Sequence, residues 1–100
     1  MNFHYYGVTY RALGMIASAR KDWSKAENYF RQSVKILSRV HKFHLAKTYL
    51  EMASMYEKKG DKKNAMEYIN KSLEIFRKLN SKEDIKKAQN KLKRIVNHDL

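Results

Sequence analysis

Apolar and polar positions along the chain follow helical spacing almost throughout. In the first half, Tyr10, Leu13 and Ala17, then Ala26, Tyr29, Phe30, Val34 and Leu37, recur at three and four residues, so each set falls on one helical face. The polar run Arg20-Lys21-Asp22-Trp23-Ser24 divides the two sets. A second polar run, Lys58-Lys59-Gly60-Asp61-Lys62-Lys63, contains a glycine that can take the left-handed conformation ending a helix and an acid that can cap the next one. The first run keeps its acid at Asp22 but has Lys21 where the glycine would stand, which predicts a less relaxed helix end. After Lys78-Leu79-Asn80, the segment Ser81-Lys82-Glu83-Asp84 resembles a capping box. It opens a stripe of Ile85, Ala88, Leu92, Ile95 and Val96, flanked by Lys86, Lys87, Lys91, Lys93 and Arg94. One apolar face with polar flanks describes a terminal capping helix. These patterns predict helices over 3–20, 23–40, 43–59, 62–79 and 82–97. Connections this short force neighbours to lie antiparallel.

The chain also repeats itself at an offset of 39 residues. Tyr10 falls on Tyr49, Asp22 on Asp61, Ala26 on Ala65, Tyr29 on Tyr68, Ser33 on Ser72 and Ile36 on Ile75. Apolar residues match between them: Leu13 with Met52, Ile16 with Met55, Phe30 with Ile69, Val34 with Leu73, Leu37 with Phe76, Val40 with Leu79. The expectation is an all-α domain over 1–100, made of one helix pair at about 7–42, a second at about 46–80, and a capping helix at about 82–97.

Small residues within each copy carry a resemblance. The first copy reads Tyr10-x-x-Leu13-Gly14 and Ala26-x-x-x-Phe30; the second reads Tyr49-x-x-Met52-Ala53-x-x-Tyr56 and Ala65-x-x-x-Ile69. This arrangement resembles the tetratricopeptide repeat, in which small side chains stand where paired helices approach closely. Ser33 and Ser72 look like a further small position of that seam. Two features depart from the family pattern: the terminal proline is replaced by Ser38 and Arg77, and the offset exceeds the usual spacing of about 34 residues. Both follow if the second helix of each pair runs on by more than a turn.

The resemblance implies a TPR-like α-solenoid whose first helices line a concave groove, and a role in holding a protein or peptide. By that analogy the groove takes Val8, Arg11, Ala12, Met15 and Ser18 from the first pair, Lys47, Leu50, Glu51, Ser54 and Lys58 from the second, and Lys86, Gln89, Asn90, Lys93 and Asn97 from the last helix. Arg11, Met15, Lys47, Leu50, Ser54, Lys86, Gln89, Asn90 and Lys93 are the principal candidates for ligand contact. Lysines and amides there could grip a carboxylate or a peptide backbone. Equally, solvated helix faces are routinely rich in both. The Lys/Asn/Arg clamp that some relatives use on acidic chaperone tails is not expected, because Met15, Glu51 and Asn90 do not match it.

Charge narrows the partner. Twenty-two Lys and Arg stand against ten Asp and Glu, a formal net charge of +12, which favours an acidic peptide or protein face, or nucleic acid. Nucleic-acid binding ranks second, because Tyr10, Tyr29, Tyr49, Tyr56 and Tyr68 fall on core positions rather than on a stacking surface, and no nucleic-acid motif occurs. The chain has no cysteine, so no disulfide framework is expected and a cytoplasmic setting fits best. Met1–Gly7 lacks the basic and apolar regions of a secretory signal, and no apolar run approaches a membrane span.

Catalysis finds no support: neither a nucleophile elbow nor a phosphate-binding glycine loop is present, and no cofactor is implied. His41 and His44 could form half of a metal site, but structural zinc needs about four ligands and no third one stands at helical spacing, so two polar residues at a helix junction is the favoured reading. Trp23, beside the capping Asp22, reads as a plug in the join between paired helices. Finally, Phe3, Tyr5, Tyr6 and Val8 crowd the first helix, which suggests that it packs on something further. A self-association edge at Phe3, Tyr5 and Tyr6, as in a homo-oligomerisation module of a larger TPR protein, is the third reading, and because two pairs with a cap fall short of the roughly three repeats a stable stack usually needs, the C-terminal piece of a longer array stands beside it as an expectation.

Overall fold

Gly14 shows why the chain folds as paired helices. A β-carbon placed there would stand 2.7 Å from the ring of Phe30, so the first two helices touch closely only because that side chain is missing. The computed structural model describes residues 3–97. They form α1 (His4–Ala19), α2 (Trp23–Val40), α3 (Lys42–Lys59), α4 (Lys62–Lys78) and α5 (Lys82–Asn97), and among the described residues there is no strand. Each boundary lies within one residue of the pattern-based expectation. Met1 and Asn2, part of the stretch weighed as a secretory signal, lie outside the described residues.

The turns obey the chemistry of their residues. Asp22 and Asp61 cap α2 and α4, accepting from the backbone N–H of Lys25 at 3.4 Å and of Asn64 at 3.1 Å. Gly60 ends α3 at φ 88°, whereas Lys21 ends α1 at φ 60° with a side chain in the same left-handed region. That is the strained end anticipated from the missing glycine. Asn80 turns at φ 55°, and the Ser81 hydroxyl donates to the Asp84 carboxylate. This bond joins the same residues as the expected capping box, side chain to side chain. His41 serves two helices: its N–H donates to the Leu37 carbonyl at 2.9 Å, closing α2, while its Nδ1 accepts from the His44 N–H at 3.4 Å, opening α3.

Packing follows the small residues. Ala26, Ala65, Ser33 and Ser72 are fully buried, and Phe30, Leu37, Ile69 and Phe76 fill the space beside them. Each such large side chain contributes about 1.5–3 kcal/mol on burial. The Ser33 hydroxyl donates to the Gly7 carbonyl at 2.7 Å and meets the Thr48 hydroxyl at 3.0 Å, fastening α2 to α1 and α3 inside the core. Among the described residues, no buried side-chain polar atom lacks a partner. Trp23 packs against the core cluster, as do Tyr29, Tyr49 and Tyr68, and Tyr56 is buried within it.

The helices arrange in two layers. α1 touches α3, and α5 reaches α3 through side-chain bonds; α2 and α4 stand behind, each against the helix that follows it. The whole is a slab of 48 × 34 × 16 Å. Among the described residues no helix is long and apolar enough to cross a membrane.

Candidate functional site

The layer of α1, α3 and α5 presents a depression of about 250 Å³ between its first two helices. Met15 and Ser18 come from α1; Glu51, Ser54 and Lys58 come from α3. Phe30 and Met55, both fully buried, contribute to its lining. Met15 itself is 43 % exposed, an apolar side chain kept in water beside polar neighbours. The 3- and 4-residue spacing along each helix brings these groups onto a shared face.

The other expected groove residues divide by environment. Arg11 is half-buried at the α1–α3 seam, where its Nη1 donates to the His44 carbonyl at 3.2 Å and approaches the His44 ring at 3.5 Å. Burial lowers its pKa, and the nearby Glu51 carboxylate partly offsets that. Its guanidinium is thus engaged in holding helices together. Leu50 packs against the core cluster. Lys47 is exposed, with its ammonium 5.3 Å from the centre of the Phe43 ring, an ordinary cation–π distance. Lys86, Gln89, Asn90 and Lys93 are exposed on α5.

Between α3 and α5 different side chains meet. The Lys91 ammonium donates to the Ser54 hydroxyl at 2.6 Å, and Arg94 forks onto Glu57 at 2.9 and 3.3 Å. Burial pushes the Lys91 pKa down, helped by the charge of Arg94, while the hydrogen bond to Glu57 raises that of Arg94. Lys91, Arg94 and Glu57 are absent from the groove expected by analogy. Both contacts span 37 residues, so the offset that aligns the sequence is not the offset at which α5 touches α3.

His41 and His44 have ring centres 4.5 Å apart, and His4 joins them at 5.4 and 5.6 Å. The His44 pKa is lowered, first by burial and then by the charges of Arg11, His41, His4 and Lys47. Among the described residues no group of three or more His, Cys, Asp or Glu is disposed to hold a metal ion.

Paired helices seated on Gly14, Ala26, Ala53 and Ala65, with polar and apolar side chains facing one groove, define a helical-repeat interaction module. A tetratricopeptide repeat model matches residues 5–78, well over half of the sequence. The chain belongs to the tetratricopeptide repeat family, whose repeats generally mediate protein–protein interaction and are typically not enzymes. No curated protein and no solved structure matches the chain significantly.

Proposed function

We propose that the α1–α3–α5 face holds a peptide or protein segment of acidic character. The observation that carries this reading is the depression between α1 and α3, where exposed Met15 stands beside Ser18, Ser54 and Lys58. An apolar side chain can anchor there while Lys58, and Lys86 and Lys93 further along, draw carboxylates. Glu51 on the same wall sets a limit: a run of acids would be repelled at that point, so the segment should present a neutral or basic group to it. Arg11, Lys47, Leu50, Gln89 and Asn90 complete the proposed surface, Arg11 acting by fixing the seam rather than by touching the ligand.

Fluorescence anisotropy with a library of acidic peptides, run beside single-stranded RNA at rising salt, tests the reading. Acidic peptides should bind in the micromolar range, and Lys58→Glu combined with Met15→Glu should weaken them about tenfold. Tight RNA binding indifferent to sequence, with a steep salt slope, would overturn it in favour of a nucleic-acid-binding repeat.

A further inference from the structure

The covered and uncovered sides of the first helices point to a second surface. On α3, Leu45, Thr48, Met52 and Met55 are between 0 and 4 % exposed. The residues 39 earlier on α1 are open: Tyr6 is 52 % and Ile16 51 % exposed, and Thr9 and Leu13 are only partly shielded or bare.

One depression lies between α1 and α2 and a second between α2 and Phe3, just ahead of α1, and neither is lined by a residue of α3, α4 or α5. One, of about 270 Å³, has an apolar floor of Leu13, Ile16, Ala17 and Tyr29 with Arg20 and Lys25 on its rim. The other, of about 300 Å³, is formed by Phe3, Ile36 and Val40 between Lys35 and Arg39. Asp22 is the sole acid lining either, and its carboxylate is engaged in capping α2.

We infer that this uncovered α1–α2 face docks an amphipathic helix of a partner protein that carries acids beside its apolar stripe. The chain supplies its own template for the shape. α3 is covered by α2, a helix, whose Glu27 reaches across to Lys59 at 3.2 Å. Arg20 stands 39 residues before Lys59, also at the end of the first helix of its pair, and among the described residues it meets no carboxylate. A docked helix places apolar residues spaced by three and four over Ile16 and Leu13 and an acid against Arg20, with further acid near Lys35 and Arg39.

Charge selects this occupant over a second copy of the chain. Two copies joined through this face would set the Arg20, Lys25, Lys35 and Arg39 rims against each other, and juxtaposed like charges oppose association. The copy's own Glu27 is held by Lys59 and Arg31. The surface is separate from the α1–α3–α5 groove, so each can fail without the other.

The test uses the full chain and a fluorescein-labelled amphipathic peptide of about five helical turns, with leucines along one face and glutamates beside them, against a matched peptide with lysines for glutamates. The glutamate peptide should bind in the micromolar range, and Ile16→Asp or Arg20→Glu should weaken it about tenfold. Both residues are exposed, and circular dichroism verifies that the variants fold. Arg20→Glu combined with Lys25→Glu should bring the lysine peptide into binding, and the loss on Ile16→Asp or Arg20→Glu should persist when the other groove is disabled by Met15→Glu with Lys58→Glu. Equal binding of the two peptides by the Met15→Glu, Lys58→Glu chain, or glutamate-peptide binding to it that Ile16→Asp and Arg20→Glu leave unchanged, would overturn the inference. So would light scattering that shows a dimer dispersed by Ile16→Asp, since a second copy would then be the occupant.

Discussion

Helices α1 and α3 carry similar side chains at matched places and meet opposite surroundings. Met55 is fully buried under the first pair, whereas Ile16, its counterpart 39 residues earlier, is 51 % exposed. Leu45 and Tyr6 differ in the same way. Position in a repeated pattern therefore sets which face of a helix is apolar, and the presence of a neighbour sets whether that face contributes to stability. The far end behaves differently: α5 buries Ala88 and Ile95 and turns Lys86, Gln89, Asn90 and Lys93 outward.

The sharpest way to break the comparison is to truncate both partners. Met55→Ala should cost about 2–5 kcal/mol by urea unfolding, and Ile16→Ala should stay within about 0.5 kcal/mol. Equal costs would mean that α1 is covered in solution.

A second contrast is read in alkali. Burial, with the Glu27 carboxylate adding to it, pushes the Tyr56 hydroxyl up to about 12 from 10.0. The folded chain thus holds this proton after the unfolded chain has released it, so its contribution to stability is complete below pH 10 and declines as pH rises toward 12. Tyr56→Phe should flatten that decline in a series of unfolding midpoints; an unchanged slope would assign the loss to Tyr49 or Tyr68, which are raised by the same cause.

The two left-handed helix ends come next. Gly60→Ala should destabilise by about 1 kcal/mol from backbone strain alone, because a β-carbon there meets nothing within 4 Å. Lys21→Gly should stabilise by somewhat less, about 0.5 kcal/mol, as relief of strain is partly offset by glycine's freedom in the unfolded chain. Thermal melts of the two variants should move in opposite directions.

Smallest is the exposed fork of Arg94 on Glu57. A double-mutant cycle with alanine at both should give about 0.2–1 kcal/mol, falling with added salt. A larger, salt-independent coupling would show α5 to be held by that pair rather than by Ala88 and Ile95.

The placement of Ala26, Ala65 and Gly14 in the helix seams was legible because small residues at fixed spacing have one physical use there. The caps at Asp22 and Asp61 were legible for the same kind of reason, since a carboxylate before a helix satisfies free N–H groups. The groove was legible only in part. Met15, Ser18, Glu51, Ser54 and Lys58 line one depression between α1 and α3. Lys91 and Arg94 escaped the repeat analogy because they reach α3 at an offset of 37.

Periodicity and side-chain size are local properties, and by themselves they determined the five helices, their turns, the close-packed seams and the basic surface. Which apolar stripe is covered, what Arg11 holds, and how His4, distant in the chain, comes to stack on His44 beside His41 were decided by tertiary structure alone. The physical reason is that burial and electrostatic environment belong to pairs of surfaces, and a sequence specifies each surface without stating which one it will meet.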